Sequence, residues 1–198
     1  MRRMQRQSAS AQDGFTLLEL IVAVAVFIIL TALAVPSFVT YLDKARLRGA
    51  ADSVVNQIAQ ARQVAVKMDR DVSLSTTGTG ATWCLGAIQA AKPTAGDQAV
   101  APVACDCSQS PNTCTVDGRE MTIGNTQHPG VTLSSAASEL VFDGRLGARS
   151  DAFTGNADAS SFDLTSQTGR FVLTVSVSPL GQASVCSKTG NILGYPTC

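Results

Sequence analysis

Cysteine is the residue type best able to do chemistry in this chain of 198 residues, where it occurs six times. The positions are Cys84, Cys105, Cys107, Cys114, Cys186 and Cys198. Such a set can form disulfides, hold a metal ion through thiolates, or supply a nucleophilic thiol. A thiol nucleophile is usually activated by an imidazole, and the chain has one histidine, His128, directly before Pro129. Which of these reactions the cysteines undergo depends on the cellular compartment they occupy, and therefore on any segment that targets the chain to a membrane.

An apolar segment near the N-terminus decides that placement. Residues 15–42 contain a single charged side chain, Glu19, and follow Arg2, Arg3 and Arg6. An apolar stretch longer than about 18 residues is a candidate transmembrane helix. Basic residues before the stretch predict a cytoplasmic N-terminus and place the rest of the chain across the membrane.

Two ordinary explanations of this segment compete with a more specific one. It can be a secretory signal cut after Ala34, behind the small residues of Ala32-Leu33-Ala34, or a simple membrane anchor. Neither explains Glu19, because a carboxylate near the bilayer centre costs roughly 2.5 kcal/mol on insertion scales. A charge kept there predicts a function.

The residues around Glu19 resemble a processing signal. Gly14-Phe15-Thr16-Leu17-Leu18-Glu19, after a basic leader and before an apolar run, resembles the class III signal of type IV prepilins and pseudopilins. The resemblance implies cleavage after Gly14 by a membrane peptidase, which then methylates the amine of Phe15. It also implies an assembly role for Glu19, the fifth residue of the mature chain, and for Pro36 at the family's helix-kinking position.

Elementary chemistry is consistent with each implied role. Gly14 has no side chain to obstruct a protease. Glu19 and the Phe15 amine of a neighbouring subunit would neutralise each other in an apolar bundle, so that pairing fixes the register. Pro36 removes one helix hydrogen bond, which predicts a bend or local melting; the alternative is that the helix simply ends there.

The predicted orientation puts all six cysteines on the oxidising side, where an even number indicates disulfides. We expect Cys186 to pair with Cys198. Cys105 and Cys107 are poor partners for each other, so each should reach Cys84 or Cys114. Zinc held by the four cysteines of the middle region is a weaker alternative because the spacing is not C-x₂-C.

Periodicity predicts the elements that carry these residues. Apolar residues recur every three or four positions at Leu47, Ala51, Val54, Ile58, Ala61 and Ala65, which predicts an amphipathic helix continuous with the apolar segment, from about residue 15 to about 67. A separate surface helix is the alternative. Short β-like runs follow from Val72, the strongest at 171–177, with a long loop at about 90–115. The predicted runs are 72–75, 82–85, 121–123, 131–133, 139–142, 161–164 and 171–177. The fold class is α+β: a long N-terminal helix packed on an antiparallel β-sheet domain.

A second resemblance covers the C-terminal half. Leu140-Val141-Phe142-Asp143-Gly144-Arg145, and the hairpin after Phe171, resemble GspH/FimT-like minor pilins. In that family the last hairpin often carries basic residues proposed to contact DNA, whereas this chain has Gly181-Gln182-Ala183-Ser184. Arg145 and Arg149 are the alternative candidates for such a contact, although solvated loop arginines are the simpler explanation.

Composition limits the function further. Fifteen basic and fifteen acidic residues give zero net charge, which excludes a wholly basic surface for nucleic acid. No nucleophile-elbow, phosphate-loop or zinc-protease motif is present, so we expect neither an enzyme nor a cofactor or metal.

We therefore predict a leader at 1–14, a transmembrane and assembly helix at 15–42, and a periplasmic globular domain at 43–198. The predicted function is a minor type IV pilin that primes or caps a pilus. A minor pseudopilin of type II secretion, a DNA receptor at the pilus tip, and a soluble protein cut after Ala34 are the alternatives. The predicted partners are other pilins, the prepilin peptidase and the inner membrane, with DNA not favoured.

Overall fold

The computed structural model describes residues 15–92, 102–135, 139–150 and 160–198. In these ranges the chain forms one helix, α1 (Leu17–Met68), followed only by strands. The strands are β1 (Val72–Thr77), β2 (Cys84–Gln89), β3 (Thr115–Val116), β4 (Arg119–Glu120), β5 (Thr122–Gly124), β6 (Thr132–Ser135), β7 (Glu139–Phe142), β8 (Ser160–Thr165), β9 (Val172–Val177) and β10 (Ala183–Thr189). The chain divides into two compact units, one ending at Tyr41 and the other comprising Leu42–Cys198.

The second part of α1 supplies one wall of the core in the unit Leu42–Cys198. All six residues of the predicted apolar stripe, together with Ala50, are completely buried. The predicted continuous amphipathic helix is therefore confirmed, and the separate surface helix is wrong. Burial of one face rather than local propensity stabilises a helix of this kind.

The C-terminal end of α1 has an identifiable cause. Asp69 takes a left-handed conformation with φ of 49°, which Asp tolerates better than most residues. The Arg70 N–H then donates to the Ala65 carbonyl at 3.1 Å, the six-to-one bond of a Schellman motif. This turn leads directly into β1.

The strands form two four-stranded antiparallel sheets and a small hairpin. The first sheet has the order β5-β2-β1-β7, the second has the order β10-β9-β8-β6, and β3 pairs with β4. Their inner faces join the helix stripe in one core, whose largest buried side chains include Trp83, Phe142 and Phe162. The α+β class is confirmed, with two sheets where the sequence predicted a single one.

The predicted runs match strand positions closely except around β2, and the short strands β3 and β4 were not predicted. The prediction began that strand at Thr82, whereas β2 is Cys84–Gln89. Trp83 instead anchors the preceding turn, since its indole N–H donates to the Val131 carbonyl at 2.8 Å. The run predicted at 171–177 corresponds to β9, which lies between β10 and β8.

Candidate functional site

Three residues of the predicted processing signal, Phe15, Thr16 and Glu19, lie at the start of α1. Phe15 and Thr16 precede the helix, and the Thr16 hydroxyl accepts a hydrogen bond from the Glu19 N–H at 3.2 Å. The Thr16 carbonyl accepts the first helical bond, from the Leu20 N–H. Threonine at the N-cap with glutamate three residues later is the pattern of a capping box. The helix therefore begins at a capped end, two residues after the Gly14–Phe15 bond.

The carboxylate of Glu19 is available for an external partner. Its side chain is exposed, and within the part of the chain that the structure describes no hydrogen bond or ion pair involves it. Phe15, four residues earlier, is 84% exposed. Phe15 and Glu19 are therefore both exposed at the start of the helix.

The first part of α1 is apolar and uncovered. Its most apolar 18-residue window has a mean hydropathy of 2.8 and is 0% buried. Large apolar side chains such as Leu17, Phe27 and Leu33 are 77%, 67% and 71% exposed. By length and composition this segment can cross a membrane.

Pro36 lies within α1, which continues to Met68. The alternative that the helix ends at Pro36 is therefore wrong, and local melting is not observed either. The Thr40 hydroxyl donates to the Pro36 carbonyl at 3.0 Å, a local bond that satisfies this carbonyl beside the proline. Gly14 and the rest of the predicted leader lie outside the described residues.

The six cysteines form three disulfides: Cys84–Cys107, Cys105–Cys114 and Cys186–Cys198. The predicted Cys186–Cys198 bond is confirmed. Of the two arrangements left open for the other four, the structure takes the one in which Cys107 reaches Cys84. No cysteine is free, so the zinc and thiol-nucleophile alternatives lose their thiolates.

Two of these disulfides fix the described part of the long loop on the first sheet. Cys105 and Cys114 are buried, and the Ser75 hydroxyl on β1 donates to the Cys105 carbonyl at 2.9 Å. Gly86 on β2 lies beneath the Cys105–Cys114 bond, where an added Cβ would be 2.9 Å from the Cys105 sulfur and closer still to that of Cys114. The loop can pack here only because Gly86 has no side chain.

Polar turns order the same loop at its exposed tip. The carboxylate of Asp106 accepts bonds from the Ser108 hydroxyl and N–H and from Gln109. These bonds, led by the Ser108 hydroxyl, hold the pKa of Asp106 below its usual range. The acid thus stabilises a turn.

His128 packs against an aromatic side chain. Its ring stacks on Trp83 with centroids 6.5 Å apart, and burial lowers its pKa. The lowered pKa favours the neutral form of the imidazole, which packs against the indole ring.

The two arginines proposed for DNA have different environments. Arg145 is exposed on a turn whose backbone N–H donates to the Asp143 carboxylate at 2.9 Å. Arg149 is 2% exposed, and its guanidinium donates to the Val177 carbonyl at 3.1 Å. The proposal of Arg149 as a DNA contact is therefore wrong, because its guanidinium is buried and hydrogen-bonded within the fold.

Gly144 shows why this turn has its sequence. A Cβ on Gly144 would lie 2.8 Å from the Asp69 carbonyl carbon at the end of α1. The Gly144 N–H also donates to the Asp71 carboxylate at 2.9 Å. The glycine that precedes Arg145 is thus required for packing the turn on the helix end.

Two local features, a helix cap and a hairpin turn, were not predicted although the sequence contains their characteristic patterns. The T-x-x-E pattern of Thr16 and Glu19 is a capping-box signature. The Asp117-Gly118 pair that joins β3 to β4 has positive φ at both residues, 53° and 71°, as a type I′ hairpin turn requires.

Comparison with known proteins gives two family-model matches. The prokaryotic N-terminal methylation motif matches residues 9–35, and the model of type II transport protein GspH matches residues 50–181. No curated protein matches the sequence.

Two solved structures resemble the chain, both crystal structures of the type IV minor pilin FimU from Pseudomonas aeruginosa, in space groups P21 and P65. Each is 16% identical to this chain. The first covers 73% of this chain and 91% of the FimU chain with a TM-score of 0.45, and the second covers 70% and 90% with a TM-score of 0.42.

The GspH model covers more than half of the chain, and the methylation motif covers the capped, apolar helix start that precedes it. On these matches the chain belongs to the GspH family of minor pilins and pseudopilins.

Proposed function

We propose that this protein is a minor subunit of a type IV pilus that assembles through its N-terminal helix and acts in priming or at the tip. The observation that carries the proposal is the first part of α1, which is apolar and uncovered, with Phe15 exposed just before it and Glu19 exposed in its first turn. A filament built from such helices buries the apolar surface that this chain leaves exposed.

Apolar surface of this extent requires a non-aqueous environment before and after assembly. Large apolar side chains from Phe15 to Tyr41 are about half exposed or more, and monomeric soluble proteins rarely expose contiguous patches of this size. The inner membrane supplies that environment for the precursor, and neighbouring subunit helices supply it in the filament.

Glu19 sets the register of that assembly. A lone carboxylate in an apolar bundle carries a large desolvation penalty unless it is paired. The amine created at Phe15 by cleavage is the matching group on a neighbour, and Glu19 has no competing partner in the described part of its own chain. A subunit added out of register would leave both charges buried and unpaired.

Processing precedes assembly in this proposal. A prepilin peptidase cuts after Gly14 and methylates Phe15, and the described chain is consistent with access because the helix begins only at Leu17. Three basic residues in the leader favour a cytoplasmic cleavage site. The three disulfides favour a periplasmic location for the rest of the chain.

The test separates processing from pairing with two variants of the full chain expressed in its host. Gly14→Val should leave uncleaved precursor in the inner membrane. Glu19→Ala should be cleaved and methylated normally but should enter sheared filaments at less than about a tenth of the wild-type level, because breaking a buried charge pair costs several kcal/mol.

Glu120→Gln is the matched control, since Glu120 is an exposed acid on β4 whose loss should change neither step. Intact mass of the mature protein reports cleavage and methylation, and a blot of sheared filaments reports incorporation. Normal incorporation of Glu19→Ala would remove the assembly role, and a mature N-terminus at Val35 would replace the prepilin interpretation with a secretory signal.

The second candidate is a minor pseudopilin of type II secretion, which the description of the matching family model favours. Deleting the gene distinguishes the two functions. Loss of surface pili with normal protein export supports the pilus, whereas loss of export with normal pili supports the pseudopilin.

A further inference from the structure

Strand β10 forms one edge of the second sheet, and only part of its outer side is hydrogen-bonded. Along β10 the backbone N–H and carbonyl groups of successive residues point alternately toward β9 and away from it. Those of Ser187 point away from β9: its N–H donates to the Pro196 carbonyl at 2.7 Å, and its carbonyl accepts from the Cys198 N–H at 3.3 Å. Ser187 and Thr197 thus form a single parallel β-bridge. The edge of β10 is therefore already paired at Ser187.

The same alternation points Ala183 and Val185 outward. They stand opposite Val177 and Val175 on β9, and the bond from the Ser178 N–H to the Gln182 carbonyl shows that the even-numbered residues of this hairpin face β9. In the part of the chain that the structure describes, nothing pairs with the outward N–H and carbonyl groups of Ala183 and Val185. These unpaired backbone groups could hydrogen-bond to an added strand about three residues long.

A groove of about 750 Å³ lies between α1 and the start of β10, where Gly181, Gln182 and Ala183 line it. Its wall on the helix is apolar at Val55, Ile58 and Ala59, and Val66 and Leu146 extend it with side chains that are 46% and 64% exposed. The described residues that line the groove include two cations, Arg62 and Lys67, and no acid. The groove therefore favours an occupant that is apolar on one face and negatively charged.

Arg62 is positioned to bind that charge. Its Nε–H donates to the Gly147 carbonyl at 3.0 Å. Its stem lies so close to Gly181 that an added Cβ there would be 3.3 Å from the Arg62 Cδ. The terminal Nη groups have no partner among the described residues. The side chain is thus fixed at Nε while the two Nη groups remain for a carboxylate.

We propose that this groove binds an extended, acid-bearing segment of a partner protein, which adds as a strand to β10 at Ala183 and Val185 and places a carboxylate on Arg62. Strand addition of this kind takes affinity from the backbone ladder and specificity from side-chain contacts. A peptide fits better than a nucleic acid, because the open edge offers both donors and acceptors and a phosphate backbone offers only acceptors. The proposal does not depend on the filament role, since every group it uses lies in the unit Leu42–Cys198.

The test uses the full-length chain in detergent micelles and a dye-labelled, end-blocked heptapeptide of alternating valine and threonine with a central glutamate. We expect saturable binding by fluorescence anisotropy, and slower amide exchange at Ala183 and Val185 when the peptide is present. Changing the peptide glutamate to glutamine should weaken binding about tenfold, since bonds to charged groups are the stronger ones.

Two variants of the protein separate the ladder from the charge. Arg62→Gln should weaken binding of the glutamate peptide about tenfold and leave the glutamine peptide unaffected. Ala183→Pro removes one outward N–H while sparing the bonds to β9, and should weaken both peptides roughly fivefold. Arg145→Gln is the matched control, because Arg145 is a nearby exposed cation that does not line the groove. This variant should bind the glutamate peptide with the affinity of the wild type.

The exchange measurement on the wild type keeps the proposal testable if Ala183→Pro fails to fold. No binding up to about 1 mM peptide, or equal binding by wild type and Arg62→Gln, would overturn the proposal. Binding of an oligonucleotide but not of the peptide would assign the groove to nucleic acid instead. Concentration-dependent self-association that is lost in Arg62→Gln, without peptide binding, would assign it to a second copy of this chain.

Discussion

Removal of the Cys186–Cys198 disulfide should destabilise the unit Leu42–Cys198 by an amount that the chain geometry sets. The bond joins residues 12 apart in sequence and closes the C-terminal segment against β10. Cys186 is half-buried and Cys198 exposed, so serine at both positions keeps solvent access for the new hydroxyls. The double variant Cys186→Ser/Cys198→Ser therefore removes the loop closure with little additional polar burial.

The magnitude follows from the entropy that the cross-link removes from the unfolded chain. For a closed loop of this length the chain-entropy relation gives about 2.8 kcal/mol at 25 °C. At roughly 2–4 °C per kcal/mol for a domain of this size, the melting temperature should fall by about 6–11 °C. The buried Ile192 and the bond from Arg48 to the Leu193 carbonyl at 2.7 Å should keep the segment in place in the folded state.

Urea denaturation of the full chain in detergent measures the free energy of unfolding. Trp83 is the single tryptophan and is 1% exposed, so its fluorescence reports unfolding of the core from a site outside the C-terminal segment. Thr197→Ser keeps the disulfide and serves as the control, with an unchanged midpoint. A double serine variant within about 0.5 kcal/mol of the wild type would refute the loop-closure reasoning, since that relation gives several times more.

Three further predictions follow from other parts of the molecule. Gly86→Ala should lower the free energy of unfolding by at least about 2 kcal/mol, because its Cβ overlaps the Cys105–Cys114 disulfide and overpacking in a core typically costs 1–3 kcal/mol; differential scanning calorimetry measures the loss, and a midpoint equal to wild type would contradict the packing argument. The stability of the wild type should fall as pH drops from 7 to about 5.5, because burial lowers the pKa of His128 and the unfolded chain then binds the proton more readily; His128→Asn should flatten that slope in urea titrations, and an unaltered slope would exclude this residue as its source. Duplex DNA should bind no more tightly than about 10⁻⁴ to 10⁻⁶ M at physiological salt; a submicromolar, salt-dependent affinity abolished by Arg145→Ala would instead support the DNA receptor alternative.

The N-terminal part of this protein was predictable from local sequence. The apolar run with Glu19, the arginines before it and the three-four spacing from Leu47 to Ala65 depend only on which residues are near one another along the chain. The length of the apolar run predicted a transmembrane candidate. A helix presents neighbours at the three-four spacing on one face, so that spacing predicted the amphipathic continuation. The Asp117-Gly118 turn and the Thr16 cap were equally local, and could have been found by the same means.

Most strands could also be predicted from local sequence, but which strands pair with each other could not. The run at 171–177 was recognisable as a strand because β-branched and aromatic residues are enriched there. Its membership in a different sheet from β7 depends on which distant segments meet, and nothing in the spacing of residues along the chain records that. The sequence therefore predicted one sheet where the packing forms two.

Tertiary structure also decided how the functional candidates can act. Cys107 reaches Cys84, rather than Cys114, because Gly86 lets the Cys105–Cys114 bond lie on β2. Arg149 was read as a surface charge but is buried against the Val177 carbonyl. Whether a charged side chain faces solvent, a ladder or an open groove depends on contacts between segments far apart in sequence, and these form only when the whole chain folds.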